Sequence, residues 1–138
     1  MRAYIDSSVV LRVAIGATDA LPEWSMIDDY VASMLLRLEC ARTLERYRIH
    51  EEQPPEQIAR CRVAVTSIIW VAKLIALDDE VLRRAEGVFS VALKALDAIH
   101  LASAMAWRDH NRQDLAFATH DDKLARAARA AGFTVLGA

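Results

Sequence analysis

The chain has 138 residues, 54% of them hydrophobic and 26% charged, a compact globular composition that excludes an intrinsically disordered chain. A chain of this length buries roughly two thirds of the surface it exposes when unfolded, enough for one domain with a core that needs no staples. A formal net charge of −2 and a pI near 6.1 leave no basic surplus for a simple electrostatic binder of nucleic acid, and only 4 Gly and 3 Pro argue against a turn-rich all-β fold.

"AYI" (Ala3 to Ile5) reads as a short strand that ends in the polar loop Asp6-Ser7-Ser8, with "VVLRVAIG" as a short helix closed near Gly16. An aspartate by the sixth residue rules out the apolar core of a signal peptide, and no apolar run is long enough to cross a bilayer. A soluble protein with no membrane role is therefore expected. "WSMIDDYVASMLLRLECARTLERYR" carries Leu35, Leu38 and Leu44 at helical spacing, flanked by Leu36, Cys40 and Tyr47, and reads as one or two helices. "EEQPPEQ" is a turn with prolines suited to a helix start, leading into the helical "IARCRVAVTSIIWVA" despite its β-branched residues.

"LIAL" before Asp78-Asp79 reads as a short buried strand, and "DDEVLRRAEG" as an acid-started, Gly-ended helix. "LDAIHLASAMAW" predicts a helix from about Asp97. "DLAFATHDD" predicts a strand, Leu115 to Thr119, before a polar loop; "KLARAARAAG" is an alanine-rich helix and "FTVL" a last strand. Strands alternating with helices imply parallel βαβ units, hence an α/β sandwich with a mainly parallel sheet of four or five short strands. In such sheets ligands gather beyond the carboxyl ends of the strands, which directs attention to the loops of Asp6 and Asp121. Cys40 and Cys61 lie at no metal-type spacing and are too few for a disulfide framework, so a reduced, cytoplasmic setting is expected.

Four carboxylates border apolar structure: Asp6 after the first strand, Glu39 beside a leucine stripe, Asp97 among leucines and alanines, and Asp121 after "LAFAT". Each has a bland explanation. Asp6, Asp97 and Asp121 could be helix N-caps, worth about 1 kcal/mol each, and Glu39 could pair with Arg42 on an exposed face for ~0.3–0.5 kcal/mol. Caps and surface pairs, however, need no common location, and two of the four fall at strand ends on one sheet edge. Clustered acids repel one another unless a cation intervenes, and carboxylates without histidine or thiolate companions suit Mg²⁺ or Mn²⁺, the ions of phosphoryl chemistry. Spacing alone does not bring the four together.

"YIDSS", "ECAR", "LDAIHLASA" and "ATHDDKLARAARAAG", in that order and followed by a short apolar tail, resemble the PIN-domain family, and most of all its VapC-type toxin ribonucleases. The resemblance covers nearly the whole chain, and "LDAIHLASA" is its most specific piece. It implies a PIN-like three-layer α/β/α sandwich and a metal-dependent endoribonuclease that is the toxic half of a toxin–antitoxin pair. Asp6, Glu39 and Asp97 match the family's metal-binding acids and Asp121 its fourth, with Asp122 a rival because the loop reads "THDD". Thr119 matches the hydroxyl at the site's edge, and Ser7 stands where a polar neighbour of the first Asp is usual. Mg²⁺ or Mn²⁺ held by these acids would orient a water for in-line attack on RNA, one carboxylate such as Glu39 taking the proton, with 5′-phosphate and 3′-hydroxyl ends as products.

Arg12, Arg42 and Arg46, with Arg37 and Arg48, are candidates for a rim that guides RNA phosphates; a solvated helix face is the alternative. His100 reads as a packed or hydrogen-bonded structural residue, and Trp24, Trp70 and Trp107 as core or interface aromatics. The resemblance also implies a homodimer and a cognate antitoxin, in a heterotetramer or larger complex, with the antitoxin's C-terminal segment presenting a basic side chain to the acids. Two rivals remain. One is another Mg-dependent phosphoryl-transfer α/β domain with Asp6 as covalent acceptor, although Ser8 stands where such enzymes usually place a second Asp. The other is a non-catalytic interaction module.

Overall fold

The computed structural model describes residues 1–138. Five strands, β1 (Arg2–Ile5), β2 (Asp29–Ser33), β3 (Lys73–Ile75), β4 (Ala116–Ala118) and β5 (Val135–Leu136), form one sheet in the order β3-β2-β1-β4-β5, and every neighbouring pair is parallel. Six helices connect them: α1 (Ser7–Ile15), α2 (Leu35–Ile49), α3 (Pro55–Val71), α4 (Asp79–Ala85), α5 (Ala95–Asn111) and α6 (Asp122–Ala130). No helix is long and apolar enough to cross a membrane.

The strands alternate between two cores. Ala3, Ile5, Ala32 and Ala118 face one side, where they meet Val9 and Val10 of α1, Leu36, Cys40 and Leu44 of α2, and Cys61, Val65 and Ile69 of α3. Tyr4, Val31 and Phe117 face the other, against Leu101 and Ala104 of α5 and Leu124, Ala127 and Ala128 of α6. Val81 of α4 packs there on Ala102 and Ala106 of α5. This is the expected three-layer α/β/α sandwich, with both sheet faces covered as an all-parallel sheet requires. The small residues along α5 let that helix approach the sheet closely.

Helix boundaries follow local chemistry. Gly16 ends α1 in a left-handed conformation (φ 74°), Pro55 starts α3, and the Asp78 carboxylate accepts the Val81 amide hydrogen at 2.9 Å to open α4. Three expectations are corrected. The strand read as buried at "LIAL" is β3, Lys73–Ile75, an edge strand with Lys73 and Leu74 exposed. The segment read as one or two helices contains strand β2 at Asp29–Ser33, and α2 begins at Leu35. The helix expected from about Asp97 begins at Ala95, where Ala95 and Leu96 are good helix formers and extend it backwards.

The outward side of α3 mixes exposed apolar residues with Arg60, Arg62, Thr66 and Ser67. Trp70 is 87% exposed, with Val63 and Val71 exposed beside it. Trp24 stacks on Tyr30, and Trp107 lies under the Arg2 guanidinium.

Candidate active site

The sheet reverses its strand order at β1: the chain runs outward through β2 and β3 on one side, then returns to add β4 and β5 on the other. A crevice beyond the carboxyl ends of β1 and β4 is the natural ligand position of such a sheet. Ile5 pairs in register with Ala118, and the Asp6 amide donates to the Ala118 carbonyl at 3.2 Å, so the β1–α1 and β4–α6 loops leave the sheet side by side.

Two hydroxyls stitch these loops together through Asp6. Ser8 Oγ donates to Asp6 Oδ1 at 2.6 Å and accepts the His120 amide hydrogen at 2.9 Å. Thr119 Oγ1 donates to Asp6 Oδ2 at 2.6 Å and accepts the Asp121 amide hydrogen at 3.0 Å. The Val9 amide adds an N-cap bond to Oδ1 at 3.2 Å. Asp6 is only 5% exposed, and burial raises its pKa. The Ser8 and Thr119 hydrogen bonds, His100 and the Val9 amide pull the other way without cancelling that rise. The hydroxyl that reaches Asp6 belongs to Ser8, not Ser7, because a capping carboxylate sits over the second and third residues of its helix.

Asp97 is the third residue of α5, after Lys94 in the capping position, and makes no side-chain cap. Its pKa is raised by burial and then by the negative charge of Asp121, with smaller contributions from Asp6 and Glu39, while His100 lowers it. One carboxyl thus feels the other three acids. Asp121 caps α6, accepting the Leu124 amide hydrogen at 2.7 Å, while Asp122 is the first residue of that helix.

Glu39 lies one turn into α2, where its Oε1 accepts from His100 Nε2 at 2.5 Å. Its partner is therefore His100 and not Arg42. His100 is 1% exposed, and its Nδ1 meets the Tyr4 hydroxyl at 2.6 Å. Burial alone would lower the His100 pKa, but the Glu39 hydrogen bond and the charges of Glu39, Asp6 and Asp97 outweigh it and raise the value. The Tyr4 phenol is pushed well up by burial and by Asp6, and so keeps its proton. Next to Glu39, burial and the Glu39 and Asp6 charges push the Cys40 thiol up to about 12.

The arginines expected at a rim differ in freedom. Arg42 and Arg46 are exposed on α2, Arg46 with its guanidinium 5.6 Å from the Tyr47 ring centre. Arg12 pairs with Asp19 at 3.5 Å, and Arg48 is held by Glu45. Ser8, Tyr4 and the Glu39–His100 contact are what the sequence reading missed. Asp6-x-Ser8 at a helix start is a local signal that could have found the first.

The donor set suits a hard cation: four carboxylates share one edge, and Asp6, Asp97 and Asp121 have no Lys or Arg ion pair. No three His, Cys, Asp or Glu side chains stand close enough to clasp an ion between them. Mg²⁺ needs no such cage, since it keeps several waters and takes one or two carboxylates. The edge is open. A concavity of about 530 Å³ lies elsewhere, around the amino-terminal ends of β1 and β4, lined by Arg2, Arg108 and Asp114.

The PIN domain profile matches residues 3–130, a span that includes all four acids. Ribonuclease VapC47 of Mycobacterium tuberculosis (strain CDC 1551 / Oshkosh) is 30% identical over 137 residues, covering 94% of this chain and 92% of the relative. On sequence and on fold, the chain belongs to the PIN-domain family.

Proposed function

We propose that this protein is a metal-dependent endoribonuclease, the toxin of a toxin–antitoxin pair, with Asp6, Glu39, Asp97 and Asp121 as its acid centre. The observation that carries the reading is the linkage of these four carboxylates, from four connecting loops and helices, at one sheet edge: Thr119 bonds both Asp6 and the Asp121 amide, and His100, one turn after Asp97 on α5, bonds Glu39. Family membership and the likeness to a ribonuclease support the same conclusion.

Asp6, Asp97, Glu39 and Asp121 would hold a hydrated Mg²⁺ or Mn²⁺ between them, one or two of them directly and the others through its waters. Such an ion supplies positive charge against the developing phosphoryl charge and makes water a usable nucleophile near neutral pH. The chain's own residues do the rest. Ser8 and Thr119 hold Asp6 in one orientation, and the first turns of α1, α5 and α6 place three carboxylates at positive helix ends. Exposed Arg42 and Arg46 on the helix that carries Glu39 offer phosphate contacts along an RNA strand, with Arg12 held partly by Asp19.

Asp6 as a covalent phosphoryl acceptor fits less well, because Ser8, which donates to Asp6 Oδ1, stands where such enzymes place a second Asp. A cognate antitoxin and a homodimer belong to the same proposal, and the exposed Val63, Trp70 and Val71 on α3 support an interface. The deciding experiment is Asp97→Asn. Cleavage of total RNA in Mn²⁺, with the ends mapped, should be abolished while the circular dichroism spectrum is kept. Undiminished cleavage and unchanged Mn²⁺ affinity would remove the claim.

A further inference from the structure

We infer that Tyr4 and His100 are positioning residues, a buried hydrogen-bonded relay that presents the Glu39 carboxylate to the acid centre. The inference rests on the function proposed above, since it takes Glu39 as a member of that centre.

The relay joins three elements. Tyr4 on β1 reaches His100 Nδ1 at 2.6 Å, and His100 Nε2 on α5 reaches Glu39 Oε1 on α2 at 2.5 Å. Tyr4 and His100 are 0% and 1% exposed, whereas the Glu39 side chain is 18% exposed. The chain of polar groups therefore starts in the core and surfaces only at Glu39. Its direction is fixed by chemistry. An ionised carboxylate only accepts, so Nε2 must carry a proton. In the neutral ring this leaves Nδ1 bare, and the Tyr4 hydroxyl is the group in reach to donate to it; in the cation Nε2 still donates to Glu39.

The inner end is held rigidly. Tyr4 stacks on Phe117 with ring centres 5.0 Å apart and planes 17° off parallel, and meets His100 edge-on at 5.9 Å and 74°. Apolar side chains of similar volume would fill these two positions without the desolvation that a phenol and an imidazole suffer there. The placement makes sense through what it does to Glu39. His100 follows Asp97 by one turn on the same side of α5, so one helix carries Asp97 directly and sets Glu39 through His100. The spacing of those two carboxylates is thereby tied to a single rigid element. Oε1 is committed to His100, and Oε2 has no hydrogen bond from the protein.

The test uses the full chain, metal-free for NMR and with Mn²⁺ for binding and cleavage. In the wild type, long-range ¹H–¹⁵N NMR should find a proton on His100 Nε2; a ring with Nε2 bare overturns the relay. His100→Leu should weaken Mn²⁺ binding and lower kcat by about 10–100-fold, the usual effect of removing a partner behind a metal ligand, with KM for RNA little changed. Tyr4→Phe keeps the ring and the Phe117 stack, so it should fold even if the Leu variant does not. It should leave His100 Nδ1 without its donor, loosen the ring and weaken Mn²⁺ binding several-fold. Wild-type Mn²⁺ affinity and kcat in Tyr4→Phe and in folded His100→Leu, beside an inactive Asp97→Asn, would overturn the inference alone. An active Asp97→Asn would overturn it together with the proposed function.

Discussion

Thr119→Val isolates one hydroxyl that the site depends on. Thr119 is fully buried, and its Oγ1 donates to Asp6 Oδ2 and accepts from the Asp121 amide. Valine keeps the shape but leaves both partners without that oxygen. A hydrogen bond to a charged acceptor is worth about 1.5–3 kcal/mol and one between neutral groups about 1 kcal/mol, so a loss of about 3 kcal/mol at neutral pH is expected. At ~2.1 cal/mol/K of unfolding entropy per residue, that loss lowers Tm by about 10 °C for a chain of 138 residues. The pH dependence has a definite sign. The Thr119 hydrogen bond pulls the Asp6 pKa down, so its removal raises a pKa that burial already holds up. A carboxyl with a raised folded pKa loses stability as pH rises through that value, so the deficit of the variant should grow with pH. Urea and thermal denaturation of the metal-free protein at pH 4.5 and 7.5, with Thr119→Ser as control, measure it. A valine variant as stable as the wild type at pH 7.5, or a deficit that shrinks with rising pH, would refute the reasoning.

Asp97→Asn should gain stability relative to the wild type as pH rises above the ordinary aspartate range, because burial and the neighbouring acids raise the Asp97 pKa; denaturation across pH without metal checks this. Added Mn²⁺ should stabilise the wild type and not the Asn variant, read as a concentration-dependent Tm. Cys40, 0% exposed with its thiol pushed up to about 12, should resist iodoacetamide at pH 8 in the folded protein and react on unfolding, as mass spectrometry would show. Gly137→Ala places a Cβ 2.8 Å from the Thr119 carbonyl at φ 93°, so it should destabilise by about 1–2 kcal/mol and reduce cleavage by disturbing the Thr119 loop.

The sequence made the sandwich legible because most of its helices carry their own signals: Gly16, Pro55, Asp78 and Asp121 all stand at the ends they mark. Strand β2 was hidden because a strand buried on both faces loses its alternation, and "YVA" runs almost directly into the leucines of α2. The four acids could be named from their apolar flanks and the family pattern. Their supports could not all be: the Tyr4–His100 bond spans 96 positions and the His100–Glu39 bond 61. No local period records contacts of that range, and a histidine among leucines and alanines looks the same from the sequence whether it packs inertly or holds a carboxylate.

The two readings of the aspartates, as caps or as corners of a site, turn out not to compete. Asp6 and Asp121 each use Oδ1 to cap a helix, and Asp97 sits in the first turn of a third. Helix amino termini carry partial positive charge, worth about 0.3–1 kcal/mol for a nearby anion. Three carboxylates that would repel one another are thus each held at a positive helix end, and the fourth leans on His100. That arrangement lets acids gather at one sheet edge without a lysine or arginine among them, which would compete with a divalent ion for the same oxygens. It does not remove the repulsion, since Asp97 keeps a pKa raised by burial and then by the charges of Asp121, Asp6 and Glu39. The residual strain is the part an incoming cation can relieve, so capping makes the cluster tolerable in the free protein while leaving it a site that gains by binding.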